Sequence, residues 1–256
     1  MGRVGKDMSE PIAEAINYGK LSRLGIWDEE KVELAAAFFA DFKNTEIELA
    51  RIVFPDQHGV LRGKVVSASS LLSILSNGLG LPSTLLLKDT AQKTVFPVWS
   101  PDQENTANQF FGASDLIGVP DLSTMVKISW SKDTIILLCD LYDPNGNEVS
   151  FSSRRVLRDA VKKLAETGYE MIVGLEVEFQ IFEKLDSSLD HDQVSMPPQP
   201  ISVKNLTQGW QFLSDTRYGE TKFILNEIKN ACDYMDLGLS TMEIEMGPSQ
   251  FEFTFS

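Results

Sequence analysis

The spacing of apolar residues predicts two amphipathic helices. Apolar residues recur at helical spacing after Asp28 in DEEKVELAAAFFADFKN, where Asp28 can cap the helix and acidic residues fill its first turn. A second helix is predicted in SSRRVLRDAVKKLAETG, capped by Ser152 or Ser153 and ended by Gly168. The predicted buried face of this second helix consists of Val156, Leu157, Ala160, Val161, Leu164 and Ala165.

Other segments show the patterns of strands and turns. The turn-rich PDQHG lies between two strand-like runs, residues 47–54 and 60–66, which predicts a β-hairpin. SSLLSILSNG is predicted as a short helix stopped by Gly78, and DTIILLCDLYD as an apolar strand that halts at PNGN. Residues 91–125 are rich in turn formers. Because the strands alternate rather than running continuously apolar, we expect an α+β fold with antiparallel sheet.

Composition along the chain suggests three parts. Residues 1–25 mix charges with Gly and Ser, which predicts a loosely held tail with room for one short helix. The turn-rich DPNGNEVSFSS is the candidate domain boundary. We therefore expect a tail over residues 1–25, an amino-terminal domain over 26–146 and a second domain over 147–256.

Charge and composition restrict the partners. The 256-residue chain has a net charge of −14, which argues against a surface for nucleic acid or anionic lipid. No apolar run approaches the roughly 20 residues that a membrane-spanning helix needs, and the amino terminus lacks the hydrophobic core of a signal peptide. A cytoplasmic protein is therefore expected. Cys139 and Cys232 lie far apart in apolar segments, so buried free thiols are favoured over a disulfide.

Carboxylates are concentrated in two strand-like segments. In MIVGLEVEFQIF, Glu176 and Glu178 share one face and apolar residues occupy the other. In TMEIEMGPSQFEFTFS, Glu245 and Glu252 are seven positions apart, so one unbroken strand would place them on opposite faces. We expect the intervening Gly-Pro-Ser to absorb this change of parity, because Pro cannot join a strand ladder and Gly permits a bulge.

Two interpretations of these carboxylates remain open. They can be the solvated outer face of antiparallel strands, or they can bind a hard cation such as Mg²⁺ or Mn²⁺, which prefers carboxylate oxygens. A zinc site is disfavoured because the only histidines, His58 and His191, lie in predicted loops. The chain also lacks a Walker loop and a G-x-G-x-x-G motif, so these phosphate-binding sequences are absent.

Several motifs together resemble the glutamine synthetase family. VGLEVEFQIFE is similar to the Gly-x-Glu-x-Glu-Phe strand of its catalytic domain, and EMGPSQFEF to its Glu-x-x-x-Gly-Gln-x-Glu strand, with Ser249 where Gly is usual. PDQHGVLRGK, GASDLIGVPDLST, ILLCDLYD and RRVLRDAVKKLAETGY resemble its amino-terminal part, in the right order. HGVLRGK and the segment from PDLST to LCDLYD are most similar to the γ-glutamylpolyamine synthetase branch.

The resemblance implies a fold and a reaction. The fold would be a small β-grasp-like amino-terminal domain followed by a catalytic domain built on a curved antiparallel sheet with helices. The reaction would join the γ-carboxylate of glutamate to ammonia or an amine through a γ-glutamyl phosphate, with ATP as co-substrate and Mg²⁺ or Mn²⁺ as cofactor. The family also implies a homo-oligomeric ring in which one subunit completes its neighbour's active site.

The resemblance assigns roles to five acidic residues. By motif position, Glu178, Glu245 and Glu252 would hold a first ion and Glu176 would contribute to a second, nearer the nucleotide. Asp115 matches an aspartate that helps form an ammonium site across a subunit interface; the alternative is a turn or cap residue. Arg62, Lys64 and Arg154 match family positions too, but we expect structural or surface roles for them.

This sequence departs from the family pattern in two places. The Asp-Gly-Ser-Ser loop of glutamine synthetases proper is missing from NGLGLPSTLLLKDTAQKT, which favours an amine larger than ammonia as the substrate. The family's catalytic domain also continues well past the position of Glu252. We therefore expect a truncated chain, inactive alone, with an exposed sheet edge and an apolar face of Phe251, Phe253 and Phe255. The alternative function is a non-catalytic metal-binding or interaction protein with this fold.

Overall fold

The computed structural model describes residues 9–95, 98, 114–185, 195 and 199–256, so the predicted loop residue His191 lies outside it. The chain forms two compact units that divide between Glu170 and Met171. The first unit contains α1 (Ser9–Asn17), α2 (Lys20–Arg23), α3 (Glu29–Phe42), β1 (Leu49–Pro55), β2 (Leu61–Ser67), α4 (Leu71–Asn77), β3 (Leu79–Pro82), β4 (Asp115–Pro120), β5 (Val126–Ile128), β6 (Ser131–Tyr142) and α5 (Ser153–Glu166). The second contains β7 (Leu175–Gln180), β8 (Phe182–Lys184), β9 (Val203–Asn205), α6 (Asp215–Tyr234), β10 (Leu239–Ile244) and β11 (Gln250–Phe255).

The sheet of the first unit is mixed rather than wholly antiparallel. Its described strands run in the order β2-β1-β6-β4-β3, and β5 pairs with β6. β1 and β2 form the predicted antiparallel hairpin, whereas β1 and β6 are parallel. The parallel pair is possible because the long segment between these strands returns the chain to the same end of the sheet. The mixture of helices and strands is as expected, but the expectation of antiparallel sheet is wrong for β1 and β6.

Most predicted helices of the first unit are confirmed. α3 begins after Asp28, whose carboxylate accepts a hydrogen bond of 3.0 Å from the Lys31 N–H. α4 ends at Gly78, which has φ +75°, a conformation that favours glycine. Both cysteines are free and buried, as expected.

The expectation of a loosely held tail over residues 1–25 is wrong for its described part. Residues from Ser9 onward form α1 and α2, and the side chains of Ile16 and Leu21 are completely buried. They pack in the same apolar core as residues of α3, α4 and the sheet. The composition of residues 1–25 predicted a loose tail because it contains few apolar side chains. A few apolar side chains at helical spacing are nevertheless enough to pack short helices against a core. The domain boundary predicted after residue 146 stays a prediction; α5 lies in the first compact unit.

α5 has the predicted bounds, but its predicted buried face is wrong. None of its residues is buried, and Val156 and Leu157 are 54% and 58% exposed. Its arginines instead contact acidic residues of the same unit. Arg154 Nη2 lies 2.6 Å from Asp121 Oδ2, and Arg158 Nη1 lies 2.8 Å from Asp140 Oδ2. The polar side of this helix is therefore the side that holds it to the unit.

The second unit packs α6 against a three-stranded antiparallel sheet in the order β10-β11-β7. Phe251 and Phe253 of β11 are 0% and 1% exposed, and they pack in one cluster with Leu225 of α6. Phe253 also makes an edge-to-face contact with Phe179 of β7 at 5.0 Å between ring centres. α6 therefore supplies the apolar cover of these two phenylalanines. No helix among the described residues is long and apolar enough to cross a membrane.

Candidate metal site

The two carboxylate-bearing segments at the chain's end are separate strands. β10 and β11 form an antiparallel hairpin in which Glu243 lies opposite Glu252. The Glu245 N–H donates a hydrogen bond of 3.0 Å to the Gln250 carbonyl oxygen, which extends the hairpin to its turn. Side chains directly opposite each other point to the same face of a sheet, so Glu245 and Glu252 share one face. A chain reversal, and not the expected bulge in one strand, brings them together.

Ser249 shapes the turn of this hairpin. Its φ is +58°, in the left-handed region that favours glycine, and its side chain is completely buried. The Ser249 Oγ accepts hydrogen bonds from the Leu206 N–H at 2.6 Å and the Thr207 N–H at 3.3 Å. The Ser249 N–H in turn donates to the Thr207 Oγ1 at 3.0 Å. These bonds satisfy buried polar groups, which accounts for serine at a position where the family usually has glycine.

A row of glutamates crosses the sheet of the second unit. Glu252 of β11 lies between Glu243 of β10 and Glu178 of β7 in register. Like charges directly opposite each other destabilise a sheet. Within the described residues, no lysine or arginine forms an ion pair with any of these three glutamates. The row therefore concentrates negative charge that the described side chains leave uncompensated.

Three of the predicted ligands converge. Glu178, Glu245 and Glu252 each offer one carboxylate oxygen, and these oxygens lie within 4.8 Å of one another. Glu243 is outside this set, and its Oε1 accepts a hydrogen bond of 3.0 Å from the Thr241 hydroxyl. Glu176 also lies outside it, two residues along β7 on the same face and opposite Thr254. Glu178 is exposed, whereas Glu245 and Glu252 are half-buried.

Crowding of the carboxylates affects the pKa of Glu252. Desolvation, followed by repulsion from Glu176, Glu245, Glu243 and Glu178, raises the pKa of Glu252 above its ordinary value. A bound divalent cation would reverse this repulsion, because opposite charge favours the ionised carboxylate. The converging carboxylate oxygens come from β7, β11 and the residue that follows β10; they suit a hard cation, and the cluster contains neither His nor Cys.

The other residues singled out in the sequence lie in the first unit. Asp115 is exposed at the start of β4, opposite Pro82. Arg62 Nε lies 2.9 Å from the buried carboxylate of Asp56, and the Lys64 ammonium donates to the Gly80 carbonyl oxygen. Arg154 contacts Asp121, as described above. Arg62, Lys64 and Arg154 thus have the structural contacts expected of them, and the role of Asp115 stays a prediction.

Sequence reasoning missed one polar residue beside the cluster. Gln250 lies two residues before Glu252 on the same strand face, and its side-chain amide donates to the Glu178 carboxylate. Two signals were available: Gln250 is the glutamine of the Glu-x-x-x-Gly-Gln-x-Glu motif, and residues i and i+2 of a strand share a face.

The carboxylate cluster lies in a segment that matches a known family. Residues 150–256 match the glutamine synthetase catalytic domain. In this segment the chain is similar to glutamine synthetases. The matched segment includes Glu176, Glu178, Glu245 and Glu252, and Asp115 lies outside it.

The curated proteins similar to this chain include two that are named as glutamate–amine ligases or synthases. The chain is 25% identical over 241 residues to the γ-glutamylanilide synthase of an Acinetobacter species, a match that covers 92% of this chain and 48% of the relative. It is 26% identical over 211 residues to the glutamate–isopropylamine ligase of a Pseudomonas species, covering 80% of this chain and 42% of the relative. The chain thus spans about half the length of the curated relatives that it matches.

The fold agrees with a solved glutamine synthetase. The structure of the Plasmodium falciparum enzyme superposes with a TM-score of 0.62 at 16% identity, covering 87% of this chain and 44% of that one. At this identity the likeness supports the fold alone. It is a glutamine synthetase-type fold with mixed helices and strands.

Proposed function

We propose that this chain carries the carboxylate metal site of an ATP-dependent ligase that joins glutamate to an amine or ammonia. The observation that carries the proposal is the convergence of Glu178, Glu245 and Glu252 within a segment that matches the family's catalytic domain. The convergence alone is not sufficient, because exposed acidic groups also cluster without a metal. The family match alone is not sufficient either, because a fold does not establish a function.

The cluster fits Mg²⁺ or Mn²⁺. Its donors are carboxylate oxygens, which these ions prefer. A cation would also offset the repulsion among the crowded carboxylates. Glu178, Glu245 and Glu252 would hold the first ion, and Glu176, on the same face of β7, would contribute to the second. Bound ions would offset negative charge on the phosphates of ATP and in the transition state of phosphoryl transfer.

The proposed reaction has two steps. The glutamate γ-carboxylate attacks the γ-phosphorus of ATP, which forms γ-glutamyl phosphate and releases ADP. The amine nitrogen then attacks the acyl carbon, phosphate leaves, and the amine loses a proton. The carboxylates of β7, of β11 and of Glu245 at the end of β10 would serve this reaction by positioning, because paired strands hold their residues at a fixed separation.

An amine larger than ammonia is the proposed nucleophile. The Asp-Gly-Ser-Ser loop of ammonia-using family members is missing here. Two relatives are named for anilide and isopropylamine products, which are amides of organic amines. Asp115 is proposed to face the amine cation, in a site completed by a second subunit of a homo-oligomeric ring.

The first unit is proposed to be the β-grasp-like amino-terminal domain. Its described sheet places the parallel pair β1 and β6 at the centre, with the β1–β2 hairpin on one side and β3 and β4 on the other. α3 and α4 pack in the same core as these strands.

The first test is a calorimetric titration of the purified chain with Mn²⁺. Wild type is expected to bind, and Glu178→Gln is expected to lose tight binding because a neutral amide replaces a charged ligand. Glu183→Gln is the matched control. Glu183 is an exposed glutamate of β8, the next strand along the chain, and it lies outside the cluster. Equal Mn²⁺ affinity in wild type and Glu178→Gln would contradict the assignment of the ligands.

The second test uses the protein as its native source produces it and measures ADP release with glutamate and a panel of amines. ADP formation that requires both glutamate and an amine supports the ligase proposal, and the amine with the highest kcat/KM identifies the substrate class. Mn²⁺ binding without any glutamate-dependent ADP release would contradict the ligase proposal and favour a non-catalytic metal-binding protein.

A further inference from the structure

Gln250 occupies a central position beside the carboxylate cluster. It is the first residue of β11, half-buried, and it shares a strand face with Glu252. In register it lies opposite Gln180 of β7, next to the pair formed by Glu252 and Glu178. Its side chain is thus flanked by two of the three converging carboxylates.

Both ends of the Gln250 amide are engaged. Its Oε1 accepts a hydrogen bond of 2.6 Å from the Gly247 N–H, and its Nε2 donates to the Glu178 Oε1. The Gly247 N–H can only donate, so the atom that faces it must be the amide oxygen. The amide NH₂ group is then directed at the Glu178 carboxylate, and the orientation of this amide follows from its two partners.

Gly247 leaves room for this arrangement. A Cβ at position 247 would collide with the Gln250 Oε1, so a residue larger than glycine would displace the amide. The turn of the β10–β11 hairpin therefore holds Gln250, and Gln250 connects that turn to β7.

Glu178 needs such a partner more than the other two carboxylates. It is exposed, whereas Glu245 and Glu252 are half-buried. An exposed glutamate side chain samples several rotamers. Metal binding restricts it to one of them, which costs conformational entropy. A hydrogen bond to one carboxylate oxygen restricts these rotamers and leaves the second oxygen available to a cation.

We propose that Gln250 is a positioning residue that orients Glu178 for metal binding. This inference rests on the proposed metal site. Gln250 acts through Glu178 and has no direct bond to the ion. Residues that orient metal ligands in this way typically change metal affinity by about 10–100-fold when they are removed.

The test compares the Mn²⁺ affinity of wild type, Gln250→Ala, Gln250→Met and Gln180→Ala in the full chain. Free Mn²⁺ is measured by electron paramagnetic resonance, and the melting temperature of each protein is measured without metal. Both Gln250 variants are expected to lose about 10–100-fold in Mn²⁺ affinity. Gln250→Met keeps the length of the side chain and removes both hydrogen bonds, so it tests the role even where Gln250→Ala loosens the hairpin.

Gln180→Ala is the matched control. Gln180 lies on the same face, directly opposite Gln250, but its amide donates to the Pro248 carbonyl oxygen and not to a ligand. Its loss is expected to leave the affinity within about twofold of wild type, because no ligand loses its orienting bond.

The outcomes separate this inference from the proposed function. Failure of wild type to bind Mn²⁺ would overturn both. Binding by wild type with equal affinity in Gln250→Met would overturn the positioning role alone. A loss of the same size in Gln180→Ala would also overturn it, because the effect would then reflect general loosening of the hairpin.

Discussion

At the residue scale, the cluster of glutamates opposes folding when no cation is bound. Glu252 lies between Glu243 and Glu178, and desolvation together with the neighbouring glutamates raises its pKa. Natural sheets avoid like charges directly opposite each other unless another interaction compensates. Such a site has lower stability than a neutral one, and the proposed cation would offset the repulsion.

Glu252→Gln is therefore expected to have opposite effects with and without metal. Without metal, the variant should melt about 1–4 °C above wild type, because one of the repelling charges is removed. With Mn²⁺ at about 100 times the wild-type Kd, wild type should melt above the variant, because ligand binding to the folded state stabilises it. Differential scanning calorimetry with EDTA and with Mn²⁺ measures both. The same order of melting temperatures in the two conditions would contradict the metal assignment.

A second residue, Asp56, controls the β1–β2 hairpin turn. Its side chain is 1% exposed and accepts hydrogen bonds from the His58 and Val60 N–H groups and from Arg62. Burial alone would raise the pKa of Asp56, but these hydrogen bonds and the Arg62 charge outweigh it and lower the pKa below 3.8. Asp56 therefore contributes stability above pH 3.8 that is lost as the pH falls through its folded pKa.

Asp56→Ala is expected to destabilise the first unit by about 1–3 kcal/mol at pH 7, because two N–H groups and Arg62 lose a buried partner. The difference from wild type should shrink as the pH falls below 3.8 toward the folded pKa of Asp56, because the unfolded chain then binds a proton that the folded carboxylate does not. Urea denaturation at pH 7 and pH 3 measures this. Asp89→Ala is the control, since Asp89 is a partly exposed turn aspartate. A pH-independent difference for Asp56→Ala would contradict the role of its charge.

At the element scale, α5 is held by its polar side. Arg154 pairs with Asp121 and Asp140, and Arg155 Nη1 lies 3.1 Å from Glu148 Oε2. Buried or half-buried ion pairs are most costly to break when one partner is left behind. The apolar stripe of α5, in contrast, contributes little to the first unit because it is exposed.

Arg154→Ala is accordingly expected to destabilise the protein by about 2–4 kcal/mol, because Asp121 and Asp140 lose their shared partner. Leu157→Ala in the same helix should change stability by less than about 0.5 kcal/mol, since Leu157 is largely exposed. Chemical denaturation midpoints compare the two. A larger effect of Leu157→Ala would restore the sequence-based prediction of a buried apolar face.

At the scale of the whole molecule, each compact unit contains one buried thiol. Cys139 is completely buried in the first unit, where burial raises its pKa to about 12. Cys232 is 6% exposed on α6 of the second unit, and burial raises the pKa of its thiol too. Thiols that are buried and protonated react with thiol reagents only when the structure opens.

Mn²⁺ should therefore slow thiol labelling in one unit only. In Cys139→Ser, where Cys232 alone reacts, saturating Mn²⁺ is expected to reduce the labelling rate at least tenfold at about 100 times the Kd. In Cys232→Ser, where Cys139 alone reacts, the rate should stay unchanged, because the carboxylates belong to the second unit. Equal slowing of both thiols would show that the two units open together.

The sequence alone determined the local elements and the identity of the candidate ligands. Asp28, Gly78 and Gly168 marked helix ends correctly because caps and glycine conformations act over a few residues. Strand parity placed Glu176 and Glu178 on one face for the same local reason. The family resemblance of the two carboxylate segments then selected Glu178, Glu245 and Glu252.

Only the tertiary structure decided which of these features meet. Periodicity identifies an apolar face but not its partner, so the exposed α5 stripe was predicted as buried, and the packing of Phe251 and Phe253 against α6 was not predicted. Parity cannot distinguish a bulge from a chain reversal, so the hairpin register that places Glu252 opposite Glu243 was missed. The Gln250 contact depends on atoms from residues 178, 247 and 250. Such contacts form between residues distant in sequence, whose energies depend on packing and charge in three dimensions rather than on local spacing.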